Sequence, residues 1–192
     1  PSRLNYVDTF ADGAAVAQIG AKTFERLKRL GPDVARSVSE DRLCTTMIEM
    51  LNVEGFVLEP AGALTIDALK DLGKHIKGKT VVCVSSGGNF DFERLPEVKE
   101  RALRFSGNKK YFILRMPQRP GALKDFLNML GPEDDISRFE YLKKSTRNFG
   151  SILLVIETAN PDNFAEIESK MLSSGYNFRD ITDDDILSEF LI

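Results

Sequence analysis

The order of elements between Lys109 and Ile181 constrains this chain more than any other feature. The apolar run Tyr111-Phe112-Ile113-Leu114 predicts a strand over 109–116. Residues 117–120 read as a turn, after which Leu123, Phe126, Leu127 and Leu130 recur at helical spacing over 121–130. Strands follow at 136–144 and 151–157, joined by the turn Arg147-Asn148-Phe149-Gly150. Asn160-Pro161-Asp162 caps a second helix, with Pro161 where a missing N–H does no harm, and Ser174-Gly175 ends it near Ser173. A strand over 176–181 completes a β-α-β-β-α-β order, the α+β ferredoxin-like split unit. Thr182, with Asp183, Asp184 and Asp185 behind it, predicts a short capped terminal helix.

Residues 1–106 follow a different pattern. Val16, Ile19, Phe24, Leu27 and Leu30 predict a helix over 14–30, ended by Gly31-Pro32. A short extended piece over 34–38 precedes Ser39, a candidate N-cap with Glu40 and Asp41 in the first turn. The helix it opens carries Leu43, Met47, Met50 and Leu51. Phe56-Val57-Leu58 reads as a short strand or an extended entry into Glu59-Pro60-Ala61-Gly62-Ala63, and Leu64, Ala68, Leu69 and Leu72 give a third helix its apolar face over 64–75. Gly78 breaks that pattern before a strand over 79–84. Helices alternating with short apolar strands predict α/β architecture with a mostly parallel sheet. A charged helix over 93–105 and the turn Ser106-Gly107-Asn108 then place the domain boundary at 106/107, giving domains 1–106 and 107–192.

Bulk properties exclude some classes of function. The chain has 192 residues, 42% hydrophobic and 29% charged, with a formal charge of -3. That balance gives no electrostatic case for nucleic acid or an anionic membrane, since binding to either normally needs a basic patch. No apolar run approaches the roughly 18 residues that would cross a bilayer, and residues 1–6 lack the apolar region of a signal peptide. The two cysteines, Cys44 and Cys83, have no metal-ligand spacing and read as small buried hydrophobes of a reducing cytoplasm. His75 is the only histidine and reads as exposed near a helix end, so no multi-histidine metal site exists. Asp134-Asp135 reads as a solvated loop, and no metal is expected.

The chemistry-bearing segment is Thr80-Val81-Val82-Cys83-Val84-Ser85-Ser86-Gly87-Gly88-Asn89. A β-branched run that stops at hydroxyls and glycines suits a strand delivering a polar tip to a site, and open α/β sheets bind ligands at the carboxyl ends of their strands. Ser86 and Ser85 face opposite ways on such a strand, so either supplies the free hydroxyl. Gly87 and Gly88 allow close backbone approach or simply make a turn. Glu59 precedes Pro60 and is therefore biased to extended backbone. It faces the site or stands exposed at a turn, and Asp12-Gly13 is a site loop or a plain turn.

These segments resemble a known family. Thr9-Phe10-Ala11-Asp12-Gly13-Ala14-Ala15-Val16, Val38-Ser39-Glu40, Glu59-Pro60-Ala61-Gly62-Ala63 and Ser86-Gly87-Gly88-Asn89 resemble, in that order, the C-terminal part of the catalytic domain of biosynthetic threonine dehydratase (threonine ammonia-lyase). That enzyme is of fold type II and uses pyridoxal phosphate. Tyr111 onward, through Arg119-Pro120-Gly121-Ala122-Leu123 and Phe139-Glu140-Tyr141, resembles its ACT-like regulatory domain. The resemblance implies that Ser86 hydrogen-bonds the cofactor's ring nitrogen, with Gly87, Glu59 and Gly13 around the ring. It also implies Tyr141, Pro120 and Gly121 as contacts for an amino-acid effector, isoleucine or valine, where the amides of a helix start suit a carboxylate. For Phe139, sheet packing is the better reading. The family's Ser-x-Lys-x-Arg-Gly-Ala motif and its glycine-rich phosphate loop are not found here. The chain is therefore expected to be the C-terminal part of a longer enzyme and, lacking the Schiff-base lysine, to be inactive alone, with no catalytic residue of its own.

The resemblance implies a cytoplasmic homo-oligomer, a tetramer by analogy, that converts L-threonine to 2-oxobutanoate and ammonia for isoleucine biosynthesis. Two alternatives stand beside it. One is a non-catalytic amino-acid-binding regulatory fragment. The other is a serine dehydratase or racemase of the same fold type, against which the appended β-α-β-β-α-β domain argues.

Overall fold

The structure, a computed structural model, describes residues 1–142 and 149–184. The chain forms two compact units, Pro1–Ala102 and Leu103–Ile192. The expected turn at 147–148, the end of the expected strand at 143–144 and the terminal helix beyond Asp184 lie outside the described residues.

The first unit is built from helices. They are α1 (Ala21–Leu27), α2 (Glu40–Glu49), α3 (Pro60–Asp67), α4 (Leu69–Ile76) and α5 (Leu95–Phe105), whose last turn passes into the second unit. Helix α1 starts seven residues later than the expected helix over 14–30. Gly20 takes an extended conformation, and the carbonyl of Ala17 accepts a hydrogen bond from the N–H of Leu4 rather than from a following turn. Val16, Leu27 and Leu30 are accordingly exposed and form no buried face. The expected helix over 64–75 begins earlier, with Pro60 in its first turn, and is interrupted at Ala68 to give α3 and α4. Ser39 stands at the N-cap position of α2 in extended geometry, but its side chain makes no capping bond. The core of this unit holds Phe10, Leu43, Cys44, Met47, Ala63, Val98 and Ala102.

Among the described residues the first unit forms no sheet. The segments at 56–58 and 79–84 find no ladder partner, residues 34–38 are likewise unpaired, and the strands among the described residues all belong to the second unit. A strand is stable only when its backbone groups pair. Here residues 80–85 are tied to α3 by single bonds: Thr65 Oγ1 donates to the carbonyl of Val84 (3.0 Å), and Ser85 Oγ to that of Gly62 (3.1 Å). Val81, Val82 and Val84 are left exposed, Val82 at 84%.

The second unit carries strands β1 (Lys109–Pro117), β2 (Asp134–Leu142), β3 (Phe149–Thr158) and β4 (Asn177–Asp180), with α6 (Ala122–Leu127) and α7 (Asn163–Ser173). All pairs are antiparallel, in the order β2-β3-β1-β4. That is the β-α-β-β-α-β arrangement expected from the sequence. Phe112, Leu114 and Met116 of β1 and Ile152, Leu154 and Ile156 of β3 face α6 and α7, meeting Phe126, Phe164, Ile167 and Met171. Each fully buried side chain of this kind contributes about 1.5–3 kcal/mol relative to exposure.

One irregularity sets the face of β2. Ile136 pairs with Ile156, but Arg138 pairs with the next residue back, Val155, so the strand holds a bulge. The extra residue shifts the alternation by one. Phe139 and Tyr141 therefore stand opposite Leu154 and Ile152, on the helix-bearing face, and Phe139 packs against the core. Helix α6 is shorter than the expected 121–130. It buries Ala122 and Phe126, while Leu123 (43%) and Leu127 (45%), expected to point inward, are exposed. Asp134 begins β2 rather than lying in a solvated loop. It accepts hydrogen bonds from Thr158 Oγ1 (2.8 Å), Asn163 Nδ2 (3.0 Å) and the Gly131 N–H (2.7 Å).

Candidate functional site

In the first unit the structure brings Gly13, Glu59 and Gly87 together. Glu59 sits at the N-cap position of α3 with extended backbone, as a residue before proline should. Its N–H donates to the carbonyl of Gly87 (3.2 Å), and its own carbonyl receives the N–H of Ala63 (3.2 Å), the first bond of the helix. The Glu59 carboxyl lies against the α-carbon of Gly87 and near Gly13, where an added Cβ would stand 3.2 Å from Glu59 Oε1 and 3.0 Å from Ala61 Cβ. On the other side, a Cβ on Gly62 would stand 2.5 Å from the Gly87 carbonyl oxygen. Backbone therefore meets backbone between the start of α3 and the 85–88 loop, a contact only glycine allows.

The two serines separate here. Ser85 Oγ is engaged with the Gly62 carbonyl, whereas Ser86 is exposed and has no hydrogen-bond partner among the described residues. Gly13 receives the Asp12 carboxylate on its own N–H (2.8 Å), within a single 3-10 turn over Asp12–Ala14. Upstream, Phe10 anchors this turn. Its buried ring lies under the guanidinium groups of Arg94 and Arg101, 5.0 and 4.4 Å from the ring centre, and its carbonyl accepts from Arg94 Nη2 (3.2 Å). Phe10 lies in the segment Thr9 to Val16 that carries the resemblance but was given no role of its own, and no motif marks Arg94 or Arg101.

The thiols differ in setting. Cys44 is fully buried, and burial pushes its thiol up to about 12. Cys83 is half-buried, and its Sγ donates to the Thr65 carbonyl at 3.7 Å. His75 is exposed in the last turn of α4. Among the described residues no cluster of His, Cys, Asp or Glu is arranged to hold a metal ion. No described helix is long and apolar enough to cross a membrane.

In the second unit, Gly121 takes a left-handed conformation (φ +83°) at the start of α6, and the first helical amide, that of Ala122, bonds back to the Arg119 carbonyl (3.3 Å). Tyr141 is partly exposed on β2, with its ring laid over Gly150 of β3 in the space a Cβ would take. Pro120 and Gly121 stand in the β1–α6 loop and Tyr141 on β2, an edge strand of the sheet. A pocket of about 530 Å³ lies beside that loop. Its walls are the end of β1 (Arg115, Pro117), Arg119, helix α6 (Asp125, Asn128, Met129) and the α7–β4 turn (Ser174 to Asn177). Of these wall residues only Arg119 lies in a segment that the sequence marked, the loop Arg119-Pro120-Gly121-Ala122-Leu123. Arg115 interrupts an apolar strand, which is the local signal on β1.

The second unit is a ferredoxin-like β-α-β-β-α-β domain with a formed pocket, joined to a helical unit whose Gly13 and Gly87 converge on Glu59. Comparison with known proteins points to a family. Residues 100–191 match the C-terminal regulatory domain of threonine dehydratase. The chain is 47% identical over 169 residues to L-threonine dehydratase biosynthetic IlvA of Staphylococcus aureus (strain NCTC 8325), covering 88% of this chain and 40% of that protein. It is 43% identical over 190 residues to the protein of the same name from Halalkalibacterium halodurans, covering 98% of this chain and 46% of that one. A solved structure, the processed form of threonine deaminase isoform 2 from Solanum lycopersicum, matches 53% of this chain and 30% of its own, with 31% identity and a TM-score of 0.45. Residues 100–191 thus match the regulatory domain of threonine dehydratase, and the chain resembles threonine dehydratases over most of its length. It spans less than half the length of the bacterial relatives it matches.

Proposed function

We propose that this chain is the C-terminal part of a biosynthetic threonine ammonia-lyase, which releases 2-oxobutanoate and ammonia from L-threonine. The observation that carries the reading is 47% identity, across 88% of the chain, to a relative of that name. The regulatory-domain match at 100–191 supports it over a serine dehydratase or racemase. On this reading the domains divide near residue 106, the whole protein is a cytoplasmic homo-oligomer, and isoleucine or valine is its effector.

Pyridoxal phosphate, when bound, supplies the electron withdrawal that acidifies the α-carbon of threonine. The residues present fit one wall of its site. Gly87 and Gly62 are packed close enough that no side chain intrudes between them, Glu59 is held beside Gly87 and Gly13, and the Ser86 hydroxyl is unengaged. In this reading Ser86 Oγ hydrogen-bonds the ring nitrogen as a neutral partner, while Glu59, Gly13 and Gly87 orient the ring and exclude water from its face. The lysine and the phosphate cradle belong to other parts of the enzyme, so this chain alone is inactive. Tyr141, Pro120 and Gly121 contact the effector.

The test joins the remaining part of the Staphylococcus aureus relative to this chain. The hybrid is expected to form 2-oxobutanoate from threonine and to change rate with isoleucine or valine. Ser86→Ala should lower kcat at least tenfold with cofactor still bound. A folded, cofactor-loaded hybrid without activity would overturn the assignment.

A further inference from the structure

Of residues 1–32, Phe10 alone is buried among the described residues, at 3% exposed. Its ring joins Leu43, Cys44, Met47 and Val98 in the core of the first unit. The turn that follows is shaped by bonds of its own. The Phe10 N–H donates to Asp8 Oδ1 (2.9 Å), the Ala14 N–H to the Ala11 carbonyl (2.9 Å) and the Ala15 N–H to the Asp12 carbonyl (3.1 Å). These bonds form the turn but tie it to nothing beyond residues 8–15. Its buried anchor is Phe10.

Arg94 and Arg101 stand about two turns apart along one run of helix, so both reach the same side. Their guanidinium carbons lie 5.0 and 4.4 Å from the centre of the Phe10 ring. A cation over an aromatic face is drawn by the quadrupole of the ring, more strongly where water is excluded. Arg94 Nη2 also donates to the Phe10 carbonyl (3.2 Å), so ring and main chain are both held. Acids orient the two cations. Arg101 meets Glu97 (3.3 Å), Glu40 (3.4 Å) and Asp41 (3.4 Å), and Arg94 meets Glu97 (3.5 Å). These partly exposed pairs contribute little stability by themselves. Their effect is to set where the guanidinium groups stand. An aliphatic side chain would also fill the Phe10 site, but it has no face for a cation.

At the other end of the turn, Gly13 meets α3 so closely that an added Cβ would stand 3.0 Å from Ala61 Cβ and 3.2 Å from Glu59 Oε1. The turn is thus held by Arg94 and Arg101 through Phe10, and lies against Glu59 through Gly13. We propose that Phe10, Arg94 and Arg101 are positioning residues of the cofactor wall. The two guanidinium groups fix the Phe10 ring, and the ring fixes how far the Asp12–Gly13 turn stands from Glu59. The inference rests on the proposed placement of pyridoxal phosphate beside Glu59, Gly13 and Gly87, and the three residues act on it through the turn.

The test uses the hybrid with the remaining part of the Staphylococcus aureus relative. Pyridoxal phosphate is titrated by absorbance, and the melting temperature of each variant is recorded. Phe10→Leu keeps an apolar filling and removes the aromatic face, Arg101→Gln removes a cation, and Arg101→Lys keeps one. Phe10→Leu and Arg101→Gln are each expected to weaken cofactor binding about tenfold, the scale of one desolvated cation–π contact. The double variant should match Phe10→Leu, because Arg101 acts through the ring, and Arg101→Lys should stay within about threefold of the unsubstituted hybrid. A lower melting temperature with unchanged cofactor affinity would show a packing role only and overturn the proposal. So would a double variant weakened about a hundredfold, since the two effects would then be independent. A second measurement needs no cofactor. In the 192-residue chain, Phe10→Leu should speed hydrogen exchange at the Ala14 and Ala15 amides about tenfold relative to those of α2, and an equal rise in both would overturn the proposal. If the unsubstituted hybrid bound no pyridoxal phosphate, the cofactor reading would fall and this inference with it. Binding in the unsubstituted hybrid with every variant unchanged would overturn this inference alone.

Discussion

The backbone N–H of Glu59 and the carbonyl of Gly87 are joined by a 3.2 Å hydrogen bond that ties the start of α3 to the loop following the exposed valines. The same Gly87 carbonyl fills the space where a Cβ of Gly62 would stand. The two segments are thus packed through their main chains, and no side chain can relax to admit a methyl group. Gly62→Ala is expected to lower stability by about 1–3 kcal/mol, the usual cost of overpacking. Gly73→Ala, in α4 where a Cβ meets nothing within 4 Å, should instead raise it by about 0.5–1 kcal/mol through helix propensity. Thermal melting of both variants checks the contrast, and equal shifts would contradict it.

Asp67 is fully buried between α2 and α4 and is the hub of a polar network. It accepts from Thr46 Oγ1 (2.7 Å) and Arg42 Nε (2.8 Å) and lies 3.5 Å from Lys70 Nζ. Arg42 stays paired with Asp71 at 2.7 Å when the Asp67 charge is removed, so the loss is that of the buried charge-assisted hydrogen bonds, and Asp67→Asn is expected to destabilise the first unit by about 1–3 kcal/mol. Urea unfolding followed by circular dichroism reads the loss.

The same carboxyl gives a pH dependence. Burial pushes Asp67 up, but the hydrogen bonds from Thr46 and Arg42 and the charges of Arg42 and Lys70 outweigh it and hold it below the ordinary carboxylate value. Asp134 and Asp180 of the second unit are shifted the same way, by hydrogen bonds from Asn163 and Thr158 and from Thr182 and Lys110, again against burial. A group lowered in the folded state adds stability that is complete above its unfolded pKa and is lost as pH falls through its folded one. Melting temperature should therefore be flat on this account above about pH 5 and fall below about pH 4. In Asp67→Asn the acid fall of the first unit should be shallower.

Thiol reactivity should divide sharply between the two cysteines. Reaction needs thiolate and access, and Cys44 has neither, being buried with its thiol pushed up to about 12. With Ellman's reagent at pH 8, one thiol per chain is expected to react in the folded state, that of half-buried Cys83, and the second only on unfolding. Cys83→Ser should abolish the early phase.

Phe126 is wholly buried against the sheet and meets Tyr176 edge-on. Phe126→Ala is expected to cost about 3–5 kcal/mol. Thermal melting of the variant reads the loss.

The second unit was legible in the sequence to a high degree. Its strands are apolar runs long enough to be buried, separated by turn residues, and their antiparallel order follows from local connections. What was not legible there came from one residue's worth of register. The spacing Ile136, Phe139, Tyr141 fits no alternation until the bulge is known, and Leu123 and Leu127 match a helical stripe that α6, only six residues long, does not bury. The first unit was less legible. Thr80 to Val84 has every local mark of a strand, but pairing requires another strand, and none of the described residues supplies one.

By itself the sequence determined which residues prefer extended or helical backbone, where glycine and proline interrupt them, and which family the motifs resemble. Those properties are local, set by sterics and by the spacing of apolar groups. Tertiary structure decided the juxtapositions. Gly13, Glu59 and Gly87 meet because α3 and the 85–88 loop pack through their main chains. Arg115, Asp125 and Tyr176 come around one cavity because β1, α6 and the α7–β4 turn fold to the same end of the sheet. Such contacts join residues far apart in the chain and are fixed only by packing, which no local pattern encodes.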